Sequence, residues 1–293
     1  MSRSGPLVIP PALRDGMQRF GSVTWLEGLP AMVEEAADLW DLEVGEPFLP
    51  GGLTSWVAPA RTAGGRELVL KITWAHFEGL HEAEGLSVWD GHGAIRLEAR
   101  ADFETARGLL LERCVPGTPL AGREESDQDG VIAGLLQRLW AAPTGQVPFR
   151  PLTDMCDQWT DEFEQKLSAG PIDLDAGLVR SGAELFRELP RSADHAVLLC
   201  TDLHAGNVLA SQRQPWLMID PKPYVGDPAY DVLQHLLNGE ERLATDPRGA
   251  AEHMADLLDL DRARVTAWLF ARSVMESVNR EDLCRVATAL SPT

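Results

Sequence analysis

Lysine is nearly missing from this chain. Its 293 residues include three, Lys71, Lys166 and Lys222, against 23 arginines. Codon bias is the simplest cause, yet a lysine inside an apolar strand then stands out, because arginine was available and was not used there. Cysteine is sparse too, with Cys114, Cys156, Cys200 and Cys284. No pair has metal-knuckle spacing, and two lie in the apolar runs LLLERCV and VLLCTD. They read as free thiols serving as small hydrophobes, which sets aside a disulfide framework and a zinc site. Positive charge is in deficit, the net charge being −19. Nucleic acid and anionic membranes both demand a basic patch, so neither is an expected partner. A cationic small molecule suits such a surface, and so does plain solubility. Long apolar runs are absent as well. None approaches the roughly 20 residues of a membrane span, and Met1–Leu13 has no apolar signal core. A cytoplasmic protein is expected.

What is present is enough apolar residue, 44%, to bury a core as one large domain or two lobes. No repeat or low-complexity tract interrupts it. Ile9–Asp41 reads as helical, with Leu29, Met32, Val33, Ala36 and Trp40 at helical spacing. Strands are predicted over Gly45–Pro50, Leu53–Arg61 and Arg66–Thr73, punctuated by Gly51-Gly52 and Gly64-Gly65. A helix over 77–89 follows, then strands at 95–101 and 108–115, and a linker at Pro116–Pro119. Beyond Arg123 the spacing predicts helices over 127–142, 153–168, 174–189, 248–258 and 260–278, interrupted by a β-rich island at 196–220. The expected fold is α+β: a small β lobe with one main helix over 1–115, then a larger helical lobe over 116–293.

Three constellations carry chemistry. The strongest is Asp202, Asn207 and Asp220. Asn207–Ser211 and Trp216–Asp220 are strand-like around the polar tetrad Gln212–Pro215. An antiparallel hairpin about that turn would pair 207 with 220, at a Cβ separation of about 4.5–5.5 Å. An amide oxygen and a carboxylate facing one point suit Mg²⁺, which fills its shell with water and nucleotide phosphate. Asp202, five residues before Asn207, could accept a proton from a substrate hydroxyl. D-x-x-x-x-N with a metal-binding aspartate downstream is the pattern of a kinase catalytic loop; the structural alternative is a pair of loop caps and a strand end. The second element is Lys71, in the apolar strand Leu68–Ile72, suited to holding nucleotide phosphate with Glu82 or Glu84 of the next helix as its carboxylate partner, unless it only guards a sheet edge. The third is the turn Gly51–Ser55, whose backbone N–H groups and hydroxyls, Ser55 among them, could touch phosphates. No G-x-x-x-x-G-K-[ST] occurs, so a P-loop ATPase is not expected. His195 and His204 flank Asp202 without any H-E-x-x-H, which points to structural or substrate-side roles.

These residues resemble the aminoglycoside phosphotransferase family, of protein-kinase-like fold, and within it the streptomycin 6-kinase and hydroxyurea phosphotransferase branch. The likeness runs through IPPALR (Ile9–Arg14), WLEGLP (Trp25–Pro30), WDGHGAIRLE (Trp89–Glu98) and LLLERCVPGTPL (Leu109–Leu120), and is densest at TDLHAGNVL and IDPKPYVGDPAYD. It implies Asp202 as base, Asn207 and Asp220 as Mg²⁺ ligands, Lys71 on phosphate with Glu82 as its partner, and Glu112–Cys114 as the hinge touching adenine through backbone groups. Asp227 and Asp231 match structural acidic positions. The family loop usually begins His-Gly where this chain has Cys200-Thr201.

The expected reaction is in-line transfer of a γ-phosphoryl group, with ATP as donor and GTP as the other candidate, to a hydroxyl of a small cationic acceptor of streptomycin type. Asp154, Asp157, Trp159, Asp161 and Glu162, with Glu276 near Trp268, are the candidates for acceptor recognition, set against a merely solvated acidic helix face. The alternatives are a metabolic kinase for another hydroxyl compound, and a non-catalytic nucleotide- or ligand-binding protein.

Overall fold

A computed structural model describes residues 6–77, 79–145, 147, 149–170 and 172–291. They form two compact units, one ending at Gly117 and the other beginning at Thr118.

The first unit is built on a five-stranded antiparallel sheet of order β1-β2-β3-β5-β4, with β1 at Leu42–Val44, β2 at Ser55–Thr62, β3 at Glu67–Trp74, β4 at Leu97–Asp102 and β5 at Ala106–Glu112. Alternation sorts β2 and β3 into two faces. Trp56, Ala58 and Ala60 with Leu70 and Ile72 enter one buried cluster, completed by Leu13 and Met17 of α1 (Pro11–Arg19) and by Trp25, Leu29, Met32, Val33 and Ala36 of α2 (Trp25–Trp40). Each large side chain buried there contributes on the order of 1.5–3 kcal/mol. The opposite face carries Ser55, Val57, Lys71 and Thr73, in the register Ser55↔Thr73 and Val57↔Lys71. The helix α3 (Glu82–Trp89) supplies the carboxylate that meets Lys71, as described below.

Two local expectations change here. The run 9–41 is two helices, because Gly21 at φ +66° ends the first. The strand expected at 45–50 is irregular, and β1 lies just before it. Pro47 and Pro50 have no N–H to offer a ladder, while Gly45 N and Phe48 N reach β2, donating to the carbonyls of Pro59 at 2.8 Å and Val57 at 2.9 Å.

The second unit is mainly helical: α4 (Glu125–Trp140), α5 (Leu152–Ala169), α6 (Ala176–Glu188), α7 (Pro228–Asp231), α8 (Leu233–Leu237), α9 (Glu240–Thr245), α10 (Pro247–Leu258), α11 (Arg262–Glu276) and α12 (Asp282–Leu290). Ten residues of α11 are buried, among them Trp268 and Phe270. It meets α6 so closely that a Cβ on Gly182 would lie 2.5 Å from Val274. The short helices α7 to α9 and the terminal α12 escaped the periodicity reading, since four to nine residues hold too few repeats to show it.

The β-rich island is two ribbons, β6 (Val197–Leu199) with β9 (Tyr224–Gly226) and β7 (Val208–Ala210) with β8 (Trp216–Met218). The register of the second ribbon differs from expectation by one residue. Val208 pairs with Met218, so Asn207 stands opposite Ile219, whose N–H donates to the Asn207 carbonyl at 2.9 Å. The cause lies at the turn. Pro215 belongs to the flank, its carbonyl accepting from Ser211 N at 3.3 Å, and a proline that only accepts breaks no ladder. Regular alternation would then send Asn207 and Asp220 to opposite faces. Neither obeys it: Asn207 closes a 3₁₀ turn at Ala205–Asn207, and Asp220 is left-handed at φ +53°.

Candidate active site

The loop after β6 is organised by one buried carboxylate, Asp231 of α7. Its Oδ2 accepts from Cys200 N at 3.1 Å, Cys200 Sγ at 3.3 Å and Trp140 Nε1 at 2.9 Å, and its Oδ1 from Thr201 N at 2.6 Å. Burial pushes the Asp231 carboxyl up from its ordinary range, and these donors pull against it. Burial also raises the Cys200 thiol well above its usual value, so this cysteine is a neutral donor and not a nucleophile. Cys200 thus braces the loop from the position where the resemblance expects histidine. Thr201 stands where it expects glycine, and its φ of +47° shows why glycine suits the place. A β-branched residue there is strained. Its hydroxyl donates to the Lys222 carbonyl at 2.6 Å, which offsets part of that cost.

Asp202 follows. Its N–H donates to the Cys200 carbonyl at 2.7 Å, and its own carbonyl accepts from Asn207 Nδ2 at 3.0 Å. Its carboxylate meets Lys222, Nζ to Oδ2 3.0 Å. The Lys222 N–H donates back to the Cys200 carbonyl at 2.9 Å. His204 accepts from Gly206 N at Nδ1, 3.1 Å, which makes it a cap of the turn with its ring proton on Nε2. Burial lowers its pKa, in keeping with that neutral form. His195 is exposed.

The bond from Asn207 Nδ2 to the Asp202 carbonyl makes the amide oxygen the atom that could ligate a metal. With the Asp220 carboxylate it would make an all-oxygen donor pair, and among the described residues no group of three or more His, Cys, Asp or Glu could hold a metal. Few protein oxygens fit Mg²⁺, which takes the rest of its shell from water and phosphate, and do not fit zinc. Asp227 is an anchor: it caps α7 through Ala229 N at 3.0 Å and accepts from Arg264 Nε and Trp268 Nε1, both at 2.6 Å.

In the first unit, Lys71 Nζ lies 2.7 and 2.8 Å from the two oxygens of Glu82. Both side chains are about one-twentieth exposed. Glu84 turns instead to Arg100 on β4. Ser55 is buried, and its hydroxyl lies 3.0 Å from that of Thr73 across the sheet. Glu112 ends β5, its Oε2 accepting from Arg96 N at 2.9 Å, and Cys114 is partly exposed beyond it.

Four of the six residues considered for the acceptor, Asp157, Trp159, Asp161 and Glu276, have arginine partners, while Glu162 accepts from Gln158. Asp157 is paired with Arg191 at 2.7 Å, and Asp161 with Arg187. Trp159 carries Arg272 over its ring at 4.2 Å, and Glu276 accepts from the same Arg272. Arginine therefore already fills these acidic and aromatic positions. Lys222 is the residue whose place beside Asp202 sequence reasoning missed. Its signal was the scarcity of lysine.

The family described as "Aminoglycoside/hydroxyurea antibiotic resistance kinase" matches residues 42–283. A streptomycin 6-kinase of Streptomyces griseus is 33% identical over 100% of this chain and 96% of its own. A hydroxyurea phosphotransferase of Kitasatospora aureofaciens is 36% identical over 94% of this chain and 81% of its own. An aminoglycoside phosphotransferase from Streptomyces rimosus, solved with ADP and streptomycin, shares the fold at TM-score 0.57 and 20% identity, covering 85% of this chain and 98% of its own. Matched along nearly its whole length, the chain belongs to the aminoglycoside/hydroxyurea antibiotic resistance kinase family and is a phosphotransferase of kinase-like fold.

Proposed function

We propose that this protein transfers the γ-phosphoryl group of ATP to a hydroxyl of a small cationic acceptor of the streptomycin kind, in the cytoplasm. The observation that carries the reading is the setting of Asp202, whose carboxylate meets Lys222 and whose main-chain carbonyl accepts from the Asn207 side-chain amide. Asp202 orients the acceptor hydroxyl and takes its proton. Asn207 and Asp220 hold Mg²⁺, which offsets the charge of the phosphates. Lys71, steadied by Glu82, binds phosphate, and backbone N–H groups of the turn at Gly51–Ser55 assist it. Backbone groups at Glu112–Cys114 receive the adenine. The transition state is loose, so positioning and charge neutralisation supply most of the rate.

A cationic acceptor reaches Asp157 or Asp161 only by replacing Arg191 or Arg187, an exchange of one exposed ion pair for another that costs little. A second reading has hydroxyurea as acceptor, favoured by the relative of that name at 36% identity. Incubation with Mg²⁺–ATP and streptomycin, other aminoglycosides, amino sugars or hydroxyurea, followed by mass spectrometry of the product, separates the two. GTP in place of ATP tests the donor. Asp202→Ala is expected to lower turnover about 1,000-fold or more while nucleotide binding survives, as read by calorimetry. Retained turnover would remove Asp202 from its role.

A further inference from the structure

We infer that Lys222 is a positioning residue for the transfer step, fixing which oxygen of Asp202 receives the acceptor proton. The inference rests on the phosphotransferase reading above. Lys222 is held at three points by three successive loop residues. Its N–H donates to the Cys200 carbonyl at 2.9 Å, its carbonyl accepts from the Thr201 hydroxyl at 2.6 Å, and its ammonium meets Asp202 Oδ2 at 3.0 Å. An ordinary surface ion pair has long, loose side chains at both ends. Here the lysine backbone is clamped on both sides, and the carboxylate stands on a short stem in the same loop.

The consequence concerns the carboxylate's rotation. The terminal torsion of aspartate is broad and roughly two-fold, so an unheld Asp202 presents either oxygen. With Oδ2 engaged by the ammonium, Oδ1 is the one turned to the acceptor. In the transfer the acceptor oxygen forms its bond to the γ-phosphorus while the bond from that phosphorus to the leaving oxygen breaks. The electron pair departs on ADP, and the acceptor proton passes to Asp202 Oδ1. Lys222 forms and breaks no covalent bond. It narrows the orientations of the base from which the step proceeds. The strain held at Thr201, φ +47°, has a use on this account, because the same residue supplies the hydroxyl that fixes Lys222.

The test uses the full chain with Mg²⁺–ATP and two acceptors, streptomycin and hydroxyurea. Lys222→Met and Lys222→Gln are expected to lower kcat about 10- to 100-fold, with KM for ATP within about threefold and the thermal midpoint little changed. Lys222→Arg should recover a large part of the loss, since it restores the cation. Thr201→Val keeps the branched shape and removes only the hydroxyl, and should lower kcat by a smaller factor without touching KM. It also decides the matter if the neutral lysine variants fail to fold. Unchanged kcat in Lys222→Met or in Thr201→Val overturns the inference, as does a fall in stability with KM and kcat moving together, which marks a structural bridge. If the unaltered protein phosphorylates neither acceptor, the acceptor reading itself falls. Product from the unaltered protein together with a fully active Lys222→Met defeats the inference alone.

Discussion

The chain has two lysine–carboxylate pairs at its proposed chemistry, and they are built on opposite terms. Lys71 and Glu82 are sealed, their side chains 6% and 5% exposed. Lys222 and Asp202 are open to water, at 32% and 18%. A sealed pair is held by the fold, because removing either partner strands a charge in a low-dielectric setting. An open pair adds little to stability and leaves its carboxylate within reach of an incoming group. The sealed pair suits a fixed contact with phosphate, and the open pair suits a base that must receive a new ligand in every cycle. Stability should therefore register changes in the first pair, and turnover changes in the second.

The largest effect expected on stability follows. Lys71→Met leaves Glu82 buried without its cation, and should cost about 3–5 kcal/mol in chemical denaturation, together with loss of ATP binding. Removing both charges, Lys71→Met with Glu82→Leu, should recover most of that stability and none of the binding. If the single variant is as stable as the parent, Glu82 is not a sealed charge and the contrast between the pairs collapses.

An intermediate effect is expected where α1 meets the glycine turn. A Cβ on Gly16 would lie 2.0 Å from the Leu53 carbonyl oxygen, and one on Gly51 would lie 2.6 Å from Pro10. The Trp56 indole also donates to the Val8 carbonyl at 2.9 Å. The segment before residue 42, outside the family match, thus supports the turn proposed to touch phosphate. Gly16→Ala must displace backbone, at about 1–3 kcal/mol. Its KM for ATP should rise several-fold while kcat falls less. An unchanged KM would free the turn from its phosphate role.

How much of this was visible in the chain itself depends on the range of the interaction. Gly51-Gly52, Gly64-Gly65 and alternating apolar residues placed the β2–β3 ribbon, because turn chemistry and a period of two are local. Asp202, Asn207 and Asp220 stood out because their spacing is a property of one continuous stretch. The arginines that take Asp157 and Asp161 were not visible. Arg191 and Arg187 lie 34 and 26 residues away, and nothing in α5 announces them. The register of β7 and β8 slipped by one because a proline was read as a turn residue where its carbonyl serves the flank. The left-handed geometry of Thr201 and Asp220 was equally hidden, since neither residue type signals a positive φ as glycine does.

Thr201 therefore offers the finest division between the two pairs. Thr201→Gly relieves a strained φ of +47°, worth about 1–2 kcal/mol, and removes the bond to the Lys222 carbonyl, worth about 0.5–1.5 kcal/mol. The two nearly cancel, and glycine's freedom in the unfolded chain takes up part of the remainder. The thermal midpoint should stay within a few degrees of the parent. Turnover should not stay with it. If the loop uses its strained residue to fix Lys222, kcat falls several-fold in a protein no less stable than before. If kcat rises or holds, the strain is incidental and the open pair works without its clamp. Stability is thus expected to be blind to a change that turnover registers, the reverse of what Glu82→Leu does beside a missing Lys71.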